Sequence, residues 1–298
     1  MNLKNLFDSW LLLNKPVFRA LPPLAWLVSR YLLAEKLPLD QLQFETHYPN
    51  SYALNSERNS ERFVRINRQL GKYIGATETS PKKLWEYPWV LANLRLEAGM
   101  AVLDAGCGTS PLQFLMSQIG CRVTGLDPNE DVEWHGIQRK LARRFGCPIE
   151  YRLESMEAIG FPDDTFDRVC CVSVIEHCHV TPLEGEPPEK KWERDRELHR
   201  KMMGEMVRVL KPGGLLALTT DYYLPTDVFP AEENIDVANL LTMPHTEPVG
   251  PRGAEPFPGE ADFDWPRLIH NSDILFENYS GALQTSIGFT LRKTISLK

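Results

Sequence analysis

The chain has 298 residues, 43% hydrophobic and 24% charged, which is typical of a globular protein with room for one large domain. Its formal net charge of −7 argues against a general nucleic-acid binder, because phosphate binding needs a basic surface. Its six cysteines form no C-x-x-C pair, which indicates free thiols in a reducing compartment.

The first 80 residues are predicted to form a helical extension or cap. Two helices are expected in residues 1–37, broken near Pro16 and Pro22. This apolar, mildly basic stretch can lie on a membrane surface, and we favour the alternative that it packs on the main domain or in a homodimer. It lacks an uncharged run long enough to span a bilayer, so we expect a cytoplasmic protein, soluble or peripheral to a membrane.

Two further helices are expected before the main alternating pattern. Residues 55–75 read as one helix, which Asn55 or Ser56 can cap. Residues 81–96 read as a second helix, or as two half-helices around Pro88.

From residue 100 onward, short apolar runs alternate with helical segments. Strands are predicted at residues 101–104, 122–127, 149–155, 166–175 and 215–220. Helices are predicted between them, at residues 111–119, 135–146 and 190–210. This alternation predicts an α/β fold with a doubly wound, mostly parallel, Rossmann-like sheet over residues 81–298.

A proline-rich insertion, residues 222–266, interrupts this rhythm. It holds eight prolines, and long loops of this kind are often lids or binding loops. After it we predict a helix at about 272–286 and a strand at 289–298.

The segment CCVSVIEHCH (170–179) brings three cysteines and two histidines together in sequence. A zinc site is one interpretation. In a strand, however, neighbouring side chains point to opposite faces, so buried structural cysteines are the better interpretation. We predict no metal.

The stretch VLDAGCGTSP (102–111) ends a predicted buried strand on Asp104. Gly106 and Gly108 lack Cβ atoms, so the backbone there can adopt positive φ and approach a ligand closely. The following helix offers free N–H groups to an anion, and Asp104 suits a cation. A ligand that carries both charges fits this turn.

The next strand ends on Asp127, whose carboxylate can accept hydrogen bonds from both hydroxyls of a ribose. A dinucleotide-dependent oxidoreductase would use the same acid. Its G-x-G-x-x-G fingerprint, however, has Pro111 at the third glycine position here. The oxidoreductase is therefore the weaker alternative.

Four segments in order, VLDAGCG, GLD, ESMEAIGFPDDTFDRVCCVSVIEH and RVLKPGGLLALTT, resemble the successive motifs of class I S-adenosylmethionine-dependent methyltransferases. The resemblance covers residues 85–220. It implies S-adenosylmethionine as cofactor, S-adenosylhomocysteine as product, and a seven-stranded sheet with a reversed final strand. The family usually ends with two antiparallel strands, whereas the pattern here predicts one.

The resemblance also implies a set of cofactor-binding residues. Asp104 and the glycines would surround the methionine moiety, Asp127 the ribose, and Ser155 with Met156 the adenine. Ser155 departs from the family's usual Asp, and Ser110 replaces a third glycine. The full predicted set is Tyr87, Asp104, Ala105, Gly106, Cys107, Gly108, Ser110, Asp127, Pro128, Ser155, Met156, Ser173 and Val174.

For catalysis, the resemblance implies methyl transfer to a small molecule by in-line displacement, at an O, N or C nucleophile. His177 is the first candidate for a general base. His179, Asp221 and Tyr222 are candidates for substrate contact. The apolar N-terminus favours an apolar or lipid-like acceptor, and no nucleic-acid partner is expected. A non-catalytic cofactor-binding or scaffold protein of the same fold is the alternative.

Overall fold

The computed structural model describes residues 48–74, 80–129, 139–140, 142–143, 145–224, 234–279 and 282–294. The two predicted N-terminal helices, with their membrane or subunit contacts, lie outside the described residues. So does half of the predicted helix 135–146.

Nine strands of the described chain form one sheet, in the order β1-β9-β6-β5-β2-β3-β4, with β7 and β8 also paired to β9. Their bounds are β1 Asn50–Tyr52, β2 Ala101–Ala105, β3 Arg122–Leu126, β4 Ile149–Arg152, β5 Phe166–Val172, β6 Leu210–Tyr223, β7 Thr246–Pro248, β8 Glu277–Tyr279 and β9 Ala282–Lys293. Strands β2 to β6 pair in parallel, and β9 runs antiparallel to β6. The predicted doubly wound, mostly parallel sheet is therefore confirmed.

Seven helices lie in the described part of the chain, together with a 3-10 turn at Ile175–His177. They are α1 Asn55–Arg58, α2 Glu61–Ile74, α3 Pro81–Leu94, α4 Leu112–Ile119, α5 Pro188–Val209, α6 Val237–Leu241 and α7 Trp265–His270. None of these helices is long and apolar enough to cross a membrane.

The helices cover the two faces of the sheet in separate apolar layers. Residues of α2, α3 and α4 pack on one face, where the rings of Trp85 and Trp89 stack with centroids 5.2 Å apart. Residues of α5, α6 and α7 pack on the other face. Because side chains alternate along a strand, consecutive residues at a strand end belong to different layers.

The outer edge of β9 is shared by three short strands from distant parts of the chain. β8 pairs with its start, β1 with its middle and β7 with its end. β1 comes from the predicted helical extension, so the described part of that extension is not purely helical. Together, these three short strands take the place of the second antiparallel strand, which the sequence pattern at the end of the chain does not predict.

The predicted helix over 55–75 is divided at Asn59–Ser60 into α1 and α2. Its predicted capping was wrong, because the residue that precedes α1 is Leu54 and it makes no side-chain cap. Instead Asp273 accepts hydrogen bonds from the Ser56 N–H and hydroxyl, both at 2.7 Å. A carboxylate from a remote loop therefore stabilises this helix start. Over 81–96, α3 is one helix that continues through Pro88.

The predicted helix at 272–286 was wrong. This segment forms β8 and the first part of β9, whose backbone pairs with β6 along one edge and with short strands along the other. The predicted strand 166–175 ends at Val172, before the 3-10 turn. β6 begins at Leu210 and runs through the Lys-Pro-Gly-Gly segment that was expected to precede it.

The described part of the proline-rich insertion is integrated into the core. Val237, Leu240 and Phe257 are each no more than 1% exposed. The Pro256 carbonyl accepts a hydrogen bond from the Tyr52 hydroxyl at 3.0 Å. This segment therefore contributes buried side chains to one of the two apolar layers of the fold.

Candidate active site

The carboxyl ends of β2, β3, β5 and β6 meet at one edge of the sheet, and the predicted glycine turn lies there. Gly106 has φ +70° and Gly108 has φ +43°, a region that favours glycine. A Cβ on Gly106 would lie 2.5 Å from Val174 Cγ1, whereas a Cβ on Gly108 would meet nothing within 4 Å. Gly106 thus allows the loop after β5 to approach, and Gly108 leaves open space for a ligand.

Asp104 lies behind this turn and is 2% exposed. Its Oδ1 accepts from the Cys170 thiol at 3.5 Å, and its Oδ2 has no hydrogen-bond partner among the described residues. Burial raises the pKa of Asp104 to about 6, against the lowering effects of Gln113 and Cys170. A buried acceptor that lacks a donor within the protein is typically satisfied by a hydrogen-bond donor on a bound ligand.

Asp127 follows β3, as predicted, and binds the backbone of the turns around it. Its Oδ2 accepts from the Gly108 N–H at 3.0 Å, and its Oδ1 accepts from the Asn129 N–H at 2.9 Å. Each carboxylate oxygen has a second lone pair, so ribose hydroxyls can still be accepted. The carboxylate therefore orders the glycine turn before any ligand binds.

Three other predicted cofactor residues use their side chains in contacts within the protein. Ser155 Oγ accepts from the Glu157 N–H at 3.2 Å. The Met156 side chain is 3% exposed, and its sulfur lies 3.9 Å from Cys171 Sγ. Ser110 Oγ accepts from the Leu112 N–H at 3.2 Å, at the start of α4. Buried residues of the set include Ala105, Cys107 and Tyr87.

A group of charged side chains between α3 and the ends of β5 and β6 was not predicted as a group. We call it the buried charge cluster, and its members are Lys82, Lys83, Glu86, Glu176 and Asp221. Lys82 Nζ lies 2.5 Å from Asp221 Oδ2, and Lys83 Nζ lies 2.8 Å from Glu86 Oε2. The first of these ion pairs holds the start of α3 onto the end of β6, whereas the second lies within α3.

Three hydroxyl and amide donors complete the cluster. Ser173 Oγ and Ser286 Oγ donate to Glu86 Oε1 at 2.7 and 2.6 Å. The Asp221 N–H donates to Glu176 Oε1 at 2.9 Å. Ser173 has φ +50°, so its hydrogen bond to Glu86 helps to hold a backbone conformation that non-glycine residues rarely adopt.

The three carboxyl groups of the cluster differ in pKa because their partners differ. Burial, followed by the Asp221 charge, raises the pKa of Glu176 to about 8. Burial and the nearby Glu86 raise the pKa of Asp221. Burial would also raise the pKa of Glu86, but the Lys83 ammonium and the two serine hydroxyls hold it below its usual range. Of the three carboxyls, Glu86 has the best-compensated negative charge.

His177 adjoins the cluster and is exposed. Desolvation of its ring lowers its pKa from 6.5, and Asp221 opposes that shift. Glu176, His177 and Asp221 each place one donor atom within 4.8 Å of the others, as a metal site would require. The Lys82 ammonium already pairs with Asp221, however, and repels a second cation there. We therefore treat the group as an ion-paired cluster.

Two predicted substrate residues point elsewhere. His179 Nδ1 lies 3.3 Å from Asp195 Oδ2 on α5, which also pairs with Lys191 at 2.6 Å. Tyr222 follows Asp221 on β6 and so occupies the opposite face, where its ring centroid is 5.5 Å from that of Trp265. Burial raises the pKa of Tyr222 to about 12. Of the predicted catalytic and substrate residues, Asp221 belongs to the cluster and His177 adjoins it.

Known proteins are similar to the part of the chain that forms this edge of the sheet. The sequence model of the methyltransferase domain family matches residues 103–218. A ubiquinone biosynthesis O-methyltransferase from Methylocella silvestris is 38% identical over 80 residues, which is 26% of this chain and 30% of that protein. A sterol 24-C-methyltransferase from Eremothecium gossypii is 32% identical over 124 residues, 41% of this chain and 28% of that protein. The matched region thus spans less than a third of either relative.

A solved structure, the 1,6-didemethyltoxoflavin-N1-methyltransferase of Burkholderia thailandensis with 1,6-didemethyltoxoflavin and S-adenosylhomocysteine bound, is 17% identical to this chain. The similarity covers 66% of this chain and 72% of that chain, at a TM-score of 0.40.

Proposed function

Because residues 103–218 belong to the class I S-adenosylmethionine-dependent methyltransferases, we propose that the whole chain methylates a small molecule. The similar ubiquinone and sterol methyltransferases both act on small molecules, one at oxygen and one at carbon. Acceptors of that size and partly apolar character are the first to test. The net charge of −7 gives no support to a nucleic-acid acceptor.

One observation carries the placement of the cofactor, namely the unpartnered Oδ2 of buried Asp104 beside the open space at Gly108. The amino group of a bound methionine moiety would supply the missing donor. Asp127 would accept from the ribose hydroxyls with its remaining lone pairs. The loop at Ser155 and Met156 would border the adenine, since it follows β4, the neighbour of β3.

When bound, S-adenosylmethionine supplies an activated methyl group. The chain's own task is to place the acceptor in line, exclude water and remove a proton where the nucleophile carries one. We assign proton removal to His177. Its depressed pKa keeps the imidazole neutral at pH 7, which is the form that accepts a proton.

Calorimetric titration of the full chain tests the cofactor site. S-Adenosylmethionine and S-adenosylhomocysteine are expected to bind in the micromolar range, and Asp127→Ala is expected to weaken both by about tenfold or more. Glu150→Ala, an exposed acid on β4, is the matched control and should bind like the wild type. Binding of NAD instead of the adenosyl ligands would contradict the proposal and favour the oxidoreductase alternative. Binding without turnover on a broad acceptor panel would favour a non-catalytic protein.

The base is tested with an acceptor found by screening phenols, quinols and sterols for transfer of labelled methyl groups. For an oxygen acceptor, His177→Gln is expected to lower kcat about 100-fold while the Kd for the cofactor changes little. Wild-type kcat should be nearly constant from pH 8 to 7 and fall as the pH drops through the depressed pKa of His177, where the imidazole gains its proton. His179→Gln is the control. A wild-type pH profile in His177→Gln would remove His177 from the mechanism.

A further inference from the structure

Carboxylates outnumber ammonium groups in the buried charge cluster. Lys82 pairs with Asp221 and Lys83 pairs with Glu86. Among the residues that the structure describes, Glu176 has no cationic partner. With all five groups ionised, the cluster therefore carries one uncompensated negative charge, and Glu176 carries it.

Glu176 is also incompletely hydrogen-bonded. It is 9% exposed, its Oε1 accepts from the Asp221 N–H, and its Oε2 is buried without a hydrogen-bond partner in the described chain. A buried carboxylate is costly unless a cation or hydrogen-bond donors compensate it. In agreement with this, burial and Asp221 raise its pKa to about 8. A ligand that brought a positive charge would make the ionised form favourable.

The position of Glu176 links the cluster to the methyl-donor turn. Glu176 lies in the 3-10 turn after β5, two residues after Val174, which closes on Gly106. Exposed His177 follows it. The charged and titratable groups around Glu176 are Lys82, Lys83 and Glu86 on α3, Cys171 on β5, His177 and Cys178 after it, and Asp221 on β6. Both lysines are already paired, so added compensation has to come from a ligand.

We propose that the buried charge cluster is a binding site for an organic onium group, a sulfonium or an ammonium, with Glu176 as its counter-charge. A metal ion would need Asp221 as a direct ligand and would meet the Lys82 ammonium there. An onium group needs only charge complementarity and no coordination by several oxygens. Two sources share this chemistry, namely the sulfonium of the methyl donor and an ammonium group on the acceptor. The inference rests on the proposed function, because that function places the transferred methyl group beside the cluster.

The first measurement compares two ligands that differ in charge at sulfur. S-Adenosylmethionine is expected to bind the full chain about tenfold more tightly than S-adenosylhomocysteine at pH 8, if the sulfonium is the cation. Glu176→Gln keeps an oxygen acceptor for the Asp221 N–H but removes the charge, and it should abolish this preference. Glu157→Gln, an exposed carboxyl paired with Lys201, is the matched control and should retain it.

The second measurement tests an acceptor ammonium. Benzylamine, protonated at pH 8, is compared with neutral benzyl alcohol of similar size, with and without saturating S-adenosylhomocysteine. Tighter binding of the ammonium, lost in Glu176→Gln, would identify the acceptor as the source. In the wild type, either preference should grow between pH 7 and 8.5 as Glu176 loses its proton. This pH dependence keeps the inference testable if Glu176→Gln folds poorly.

Charge-independent binding in both comparisons would overturn the inference while leaving the proposed function intact. A preference that persists in Glu176→Gln, or one that appears only with added Mg²⁺ and disappears with a chelator, would overturn it as well. Failure of both adenosyl ligands to bind would instead contradict the proposed function. The benzylamine comparison without an adenosyl ligand would still test the cluster in that case.

Discussion

Lys82→Met is expected to lower the free energy of unfolding by about 3–5 kcal/mol at pH 8. Lys82 and Asp221 are 6% and 7% exposed, so little water reaches the carboxylate that the substitution would leave unpaired. Breaking a buried ion pair by removing one partner costs much more than deleting both charges. Denaturant unfolding at fixed pH measures the effect.

The loss should depend on pH in a defined direction. In Lys82→Met the folded state would favour protonated Asp221, whose pKa is already raised by burial and Glu86. A carboxyl with a raised folded-state pKa destabilises the fold above that pKa, and the penalty shrinks as pH falls toward the unfolded value. The difference from wild type should therefore be largest near pH 8 and smaller at pH 5.

Two further variants distinguish a lost ion pair from a lost side chain. Lys201→Met removes an exposed lysine from its pair with Glu157 and should change stability by no more than about 1 kcal/mol. Lys82→Met combined with Asp221→Asn should recover part of the loss, because no buried charge is then left unpaired. Equal losses in the single and double variants would show that the methylene packing of Lys82, and not its charge, is what matters.

The pairing of Lys82 with Asp221 also shows where sequence reasoning ends. The two residues are 139 positions apart, and nothing local links the start of α3 to the end of β6. Asp221 and Tyr222 were predicted together as substrate contacts because both follow a strand. The alternation of side chains along that strand separates them onto opposite faces.

Local patterns predicted the parts of the fold that local interactions determine. β2, α4 and β3 form within a residue or two of their predicted bounds, because apolar runs, a glycine turn and helical periodicity mark them. The end of the chain differs, since β9 is stabilised by β6 and by three short strands from remote segments. A segment that depends on such partners carries little of its own signal.

At the glycine turn, the predicted need for glycine agrees with the observed backbone geometry. Gly106→Ala is expected to cost about 2–5 kcal/mol, from overpacking of about 1–3 and backbone strain of about 1–2. The overpacking arises because the new Cβ would lie 2.5 Å from Val174 Cγ1 and 2.9 Å from its Cγ2. The strain arises because φ is +70°.

Gly108→Ala is the matched control, because Gly108 also has positive φ but its added Cβ meets nothing within 4 Å. It should cost only the strain of about 1–2 kcal/mol. The two variants should differ further in binding. The Cβ in Gly108→Ala would enter the space assigned to the cofactor. The substitution should therefore weaken the binding of S-adenosylhomocysteine, with no loss of stability beyond that strain.

Adding Val174→Ala to Gly106→Ala removes both methyl groups that the new Cβ would meet, although Val174 Cβ remains 3.0 Å away. The double variant should therefore recover most of the stability lost to overpacking, whereas the loss from backbone strain should remain. Thermal unfolding and calorimetry on the same samples separate the two effects. If the double variant were no more stable than Gly106→Ala alone, the need for glycine at 106 would come from its backbone conformation. The approach of the 173–177 loop would then not depend on the missing Cβ.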